Sequence, residues 1–119
     1  PDPWLRSRMI QLAGDRSEAA RQELGRIFRE WKALEPRMLR LADSVPLAAD
    51  GLEAARGLAQ LGSLGLETLN YFDRGSATAQ WKEAARARLT ELARPQGLLR
   101  LVGVEAVTVL VTAVPQPAE

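Results

Sequence analysis

The chain has 119 residues, with 16 basic and 15 acidic side chains, 46% apolar residues and only 5% aromatic ones. Nineteen Ala and nineteen Leu dominate it, which is the composition of a single helical domain large enough to bury one core. There is no Cys and no His, which excludes disulfides, thiolate or imidazole metal sites, Cys nucleophiles and Ser-His-Asp chemistry.

The charges are evenly spread. Residues 1–45 carry nine basic and seven acidic groups, and residues 46–119 carry seven and eight. Acids interrupt the bases along Arg26, Arg29, Glu30, Lys32, Glu35 and Arg37, which describes a solvated helix face. Nucleic-acid binding needs a clustered basic face and is not expected. No stretch reaches the roughly 20 apolar residues that span a bilayer. The weakly charged run Leu101–Val114 is too short and is interrupted by Glu105, so no membrane helix is expected. No signal peptide is expected within these residues. The chain begins Pro1-Asp2-Pro3 without Met, which predicts a piece of a longer polypeptide.

In chain order, Asp2 and Pro3 read as an N-cap and first helical position. The helix they open carries Trp4, Leu5, Met9, Ile10 and Leu12, and Gly14 closes it. Asp15-Arg16-Ser17-Glu18 fits a capping box with Asp15 as the cap. Leu24, Ile27, Phe28, Trp31, Leu34, Met38 and Leu41 follow at spacings of three and four, which places all seven on one core-facing stripe. Pro36 lies within this run and predicts a kink or break near Leu34-Glu35.

Asp43-Ser44-Val45-Pro46 is a turn. Leu47 to Asp73 reads as a helix whose apolar face is Leu52, Ala55, Leu58, Ala59, Gly62, Leu66, Leu69 and Phe72. Gly51, Gly57, Gly62 and Gly65 fall inside it. Each costs about 1 kcal/mol relative to Ala, which suggests close approach of another helix; alternatively, Gly51 divides two shorter helices. Arg74-Gly75-Ser76 closes this segment. Trp81 to Arg94 is the next helix, with Trp81, Ala84, Ala85, Leu89 and Leu92 inward; Pro95 ends it and Gly97 follows. Leu98 to Val114 is rich in Val, which permits a strand. A buried helix is the better reading, because no second strand exists to satisfy its backbone. The predicted fold is therefore all-α, a compact bundle of four to five helices forming a single domain over residues 1–119.

Paired carboxylates are the only catalytic option this composition leaves. Asp50 with Glu53, and Glu30 with Glu35, read as solvated surface. Glu67 and Glu105 are flanked by apolar residues and are expected to be paired, Glu105 with an Arg; a catalytic Glu is the alternative. Trp4, Trp31, Tyr71 and Trp81 form either a sugar-stacking platform or core. Trp31 belongs to the core stripe, and Trp81 is expected half-exposed. Gly62-Ser63-Leu64-Gly65 lacks the Lys-Ser/Thr and the preceding strand of a phosphate loop. No catalytic, cofactor-binding or metal-binding residue is assigned.

The run Gly65-Leu66-Glu67-Thr68-Leu69-Asn70-Tyr71-Phe72, then Trp81, Leu89 through Ala93, Pro95 and Leu98 to Val111, resembles the C-terminal helical region of bacterial family 20 glycoside hydrolases, the β-N-acetylhexosaminidases. The likeness covers about 80 residues and is a pattern of apolar and small positions. It departs at Gly103-Val104-Glu105, where the pattern has a Pro and a basic residue. The resemblance implies a helical appendage to a (β/α)₈ barrel. The Asp-Glu pair of substrate-assisted hydrolysis would lie in that barrel, and no residue here matches it. The expected role is support of the barrel or an interaction, with the barrel of the parent chain or a second copy as partner. The face expected to dock carries Trp4, Trp81 and part of Leu98–Val114. Two rivals stand beside this reading. One is a stand-alone helical module for protein–protein interaction, receiving a partner helix on the Gly-rich face of Leu52–Phe72. The other is a small carboxylate enzyme.

Overall fold

The computed structural model describes residues 3–46, 49–93 and 103–117, with backbone alone at 3, 4, 49 and 50. It is an all-α bundle. The helices are α1 (Pro3–Gly14), α2 (Glu18–Lys32), α3 (Leu34–Ala42), α4 (Ala49–Arg74), α5 (Ala79–Ala93) and α6 (Val104–Ala113). The α2–α3 pair is one apolar stripe broken at Ala33. Among the described residues no strand occurs, and the Val-rich end is helical in α6. Asp2, Pro95, Gly97 and Leu98–Val102 lie outside the described residues.

Pro3 opens α1 and Gly14 closes it. The start of α2 differs from the expected capping box. Its N-cap is Ser17, whose Oγ accepts the Ala20 N–H at 3.2 Å. Asp15 instead accepts the Ser17 N–H at 2.8 Å. That bond holds the Asp15 carboxyl below the usual carboxylate range. Two good capping residues stand two apart, and the one bonded to the helix itself is Ser17. Ser17→Ala is therefore expected to cost about 1 kcal/mol, read as a lowered urea midpoint, while Asp15→Ala costs less.

Pro36 explains the break. Its ring would collide with the carbonyl of the residue four earlier, Lys32, and α2 ends at Lys32. Pro36 is the third residue of α3, where its missing N–H leaves no intrahelical bond unmade. The stripe loses its burial at this break. Leu24, Ile27, Phe28 and Trp31 are buried, Leu34 and Met38 are half-buried, and Leu41 is 46% exposed. No residue of α3 is buried. It packs chiefly on α4 and touches the end of α2. The molecule is correspondingly long, 52 × 28 × 23 Å.

The α4 helix is the spine. It packs on α2, α3, α5 and α6, so it is buried on more than one side. Leu61, Leu64 and Thr68 are its deepest residues, and none belongs to the single stripe expected. Within that stripe Ala55, Ala59, Gly62 and Leu69 are buried, whereas Leu52, Leu58, Leu66 and Phe72 are half-buried. Thr68 satisfies its hydroxyl by donating to the Leu64 carbonyl at 2.7 Å. Gly51 lies inside the helix and does not divide it.

The glycines of α4 let α2 come close. A Cβ at Gly62 would sit 2.5 Å from the Phe28 carbonyl oxygen and 2.7 Å from the Lys32 nitrogen. One at Gly65 would sit 2.6 Å from three atoms of the Phe28 ring. The helix ends in a Schellman motif: Ser76 N–H bonds the Tyr71 carbonyl and Gly75 N–H the Phe72 carbonyl, with Gly75 at φ 80°.

Thr78 caps α5 by accepting the Trp81 N–H at 3.1 Å. The buried face of α5 is Lys82, Ala85, Leu89 and Leu92, and Ala84 is exposed. Those four fall at spacings of three, four and three, so Ala84 lies off their stripe. Against this face and α4 pack α6 and, beyond it, α1.

Candidate functional site

The carboxylates weighed for chemistry are dispersed, and four of them pair with arginines. Glu105 pairs with Arg6 and is 44% exposed. Glu67 is 48% exposed, 3.5 Å from Arg88, and accepts the Trp81 indole N–H at 3.4 Å. Glu30 pairs with Arg26 and Glu35 with Arg56; Glu53 is exposed. The side chain of Asp50 lies outside the described residues. A general acid at neutral pH needs a carboxyl shielded from water, and neither Glu67 nor Glu105 has that shelter. Among the described residues no three His, Cys, Asp or Glu gather as metal ligands. No described helix is long and apolar enough to cross a membrane.

The aromatic platform is not assembled. Trp31 is buried edge-on to Phe28, with ring centroids 5.8 Å apart. Its far edge covers Gly103, where a Cβ would lie 2.5 Å from the ring. Tyr71 and Trp81 do meet, 4.5 Å apart and tilted by 50°. The Arg74 guanidinium covers the Tyr71 ring at 5.0 Å, so this pair is occupied by its own neighbours. The Trp4 side chain lies outside the described residues.

Two surfaces stand out beside an apolar groove of about 330 Å³ between α5 and α6, lined by Leu89, Ala93, Val104 and Val111. The first is α3 and its turn, where Leu41 on the stripe, Leu39 on the opposite side of the helix and Val45 in the turn are 46%, 47% and 42% exposed. Of the expected docking face, Ala106, Val107, Leu110 and Val111 are buried and Trp81 is half-buried, while the Trp4 side chain and Leu98–Val102 lie outside the described residues. The Gly-rich face of α4 is likewise taken, by α2 of the same chain.

The second surface is an open groove of about 450 Å³ between the antiparallel α2 and α4. The Arg21–Asp73 ion pair, at 2.7 Å, closes one end. Arg16 and Arg21 both lie over the Phe72 ring there, at 5.3 and 5.5 Å. Gln22 and Asn70 line the middle, Leu66 and Leu69 the α4 wall, and Arg29 the other end.

Sequence reasoning also missed Lys82, which is buried. Its position at i−3 from Ala85 was the available signal. Burial lowers its pKa, and nearby Arg86 adds to the effect. The folded state therefore releases this proton at a lower pH than the unfolded state does. In that interval the unfolded chain binds more protons, so stability rises with pH toward the ordinary Lys value of about 10.4. Lys82→Met should abolish the rise and leave stability equal or higher at pH 7, as measured by urea unfolding between pH 7 and 10.5.

Comparison with known protein families, with curated proteins and with solved structures finds no match.

Proposed function

We propose that this chain is a non-catalytic helical module that docks onto a larger partner through the arm formed by α3 and its turn. The observation that carries the reading is a nine-residue amphipathic helix with no buried residue. Large apolar side chains left bare on both sides of one short helix are surface that a partner can cover. The dispersed, arginine-paired carboxylates support a binding role over chemistry. Under the hexosaminidase resemblance, the partner is the (β/α)₈ barrel of a β-N-acetylhexosaminidase-like hydrolase, and the arm braces it.

Two measurements test this. The chain should leave a chromogenic β-N-acetylglucosaminide intact; turnover abolished by Glu67→Gln and Glu105→Gln would make it an enzyme. At high concentration, sedimentation velocity should show weak self-association through the bare arm. Leu39→Ser with Leu41→Ser should remove that association while changing stability by less than about 1 kcal/mol. Association that survives the pair of changes would place the docking surface elsewhere.

A further inference from the structure

We propose that the groove between α2 and α4 binds the C-terminal carboxylate of an extended peptide, with Arg29 as its anchor. The inference does not rest on the α3 arm. It starts from Gly25, a glycine in the middle of a helix, where Ala would ordinarily be favoured. A Cβ there would lie 3.1 Å from Arg29 Nη1 and 3.9 Å from a methyl of Leu69. The missing side chain lets the Arg29 guanidinium fold back along α2 and lie at the groove.

No described acid forms an ion pair with Arg29. The α4 wall opposite it offers only Leu66, Leu69 and Asn70 before Asp73, and Asp73 is held by Arg21. Arg37 and Arg40 also lack an acid partner among the described residues, but they stand exposed on α3, away from this groove. Arg29 is thus a cation that lines an open groove and has no acid partner among the described residues. A guanidinium receives a carboxylate through two parallel N–H bonds.

The remaining lining sets the length of the occupant. Arg21 and Arg29 are eight residues apart on one helix, about 12 Å. An extended tripeptide spans about 10 Å. With its carboxylate on Arg29, its backbone amides would pass Gln22 and Asn70, which can both donate and accept. An apolar side chain would rest on Leu69. Its blocked, uncharged end would reach Glu18 and the Arg21–Asp73 ion pair, which close the groove to a longer occupant.

The test is a titration of the chain with acetyl-Ala-Ala-Ala at low salt. Backbone amide NMR shifts at Gly25 and side-chain amide shifts at Asn70 report occupancy. The expected result is saturable binding that weakens about tenfold on Arg29→Gln, the loss of one charge-assisted contact, and weakens as salt is added. Arg26→Gln, on the outer face and paired with Glu30, should leave it unchanged. Gly25→Ala should weaken binding while leaving Tm unchanged or raised, a split that a folding defect would not produce. The same peptide as its C-terminal amide should not bind, and acetate should bind at least tenfold more weakly. Equal binding of the amide, insensitivity to Arg29→Gln, or acetate binding as well as the peptide would each overturn the proposal.

Discussion

Gly62→Ala is expected to destabilise the fold by about 3 kcal/mol, where the same exchange at an open helix position gains up to about 1 kcal/mol. The reversal follows from what the new methyl would meet. Its nearest neighbours are backbone atoms of α2, the Phe28 carbonyl oxygen at 2.5 Å and the Lys32 nitrogen at 2.7 Å. Neither can swing aside, so the two helices must separate along their length. Gly65→Ala should behave alike, because its methyl would strike the face of a ring that is itself wholly buried. Gly51→Ala is the internal control. Its methyl would meet only the end of Met38, at 3.9 Å, so it should stabilise. Urea midpoints of the three variants give the comparison, and a loss at Gly51 matching that at Gly62 would refute the close-approach account.

The second large effect is Phe28→Ala, expected to cost about 3–5 kcal/mol. Domains of this size are stable by about 5–15 kcal/mol in total, so this variant will be close to unfolding at room temperature. Phe28 has no exposed surface, and its ring fills the space that Gly65 leaves. Collapse into that cavity is blocked, since α2 and α4 already touch at Gly62. Trp31→Ala should lose a similar amount, because its ring joins α2 to Leu61 and to Gly103 at the start of α6. A loss under about 1 kcal/mol at Trp31 would mean that the indole is exposed, and would reopen the sugar-platform reading.

Much of the fold was legible in the sequence because its punctuation is local. Pro36 breaks the backbone through its ring and missing N–H, and Gly75 turns it through a positive φ, while Gly14 and Asp43–Pro46 mark ends visible in the chain order. The spacing of Leu24, Ile27, Phe28 and Trp31 carries the face of α2 in the same way. The errors arose where the answer depends on what lies opposite. Leu34, Met38 and Leu41 keep the stripe's spacing, yet periodicity says which way a side chain points and not whether protein stands there. For α4, burial on several sides puts Leu61 and Leu64 outside any one stripe. Capping was ambiguous because Asp15 and Ser17 are both good caps and only geometry separates them.

The groove was not legible at all. Gly25 and Arg29 acquire meaning only once α4 sets Leu69 and Asn70 beside them. Lys82 illustrates the opposite case. Its place on the α5 stripe is plain in the sequence, but a charged residue on an apolar face invites the assumption that the face ends before it.

The central claim is that α2 and α4 form one close-packed unit and that α3 is an arm held outside the core. Amide hydrogen exchange on the intact chain tests this most directly. Protection of Leu24–Trp31 and Leu61–Leu69 should match the global unfolding free energy, because those amides open only when the core does. Those of residues 38–42 should exchange through local opening, with protection lower by orders of magnitude and insensitive to Gly62→Ala. Protection of α3 equal to that of α2, and lost in step with it, would contradict the account.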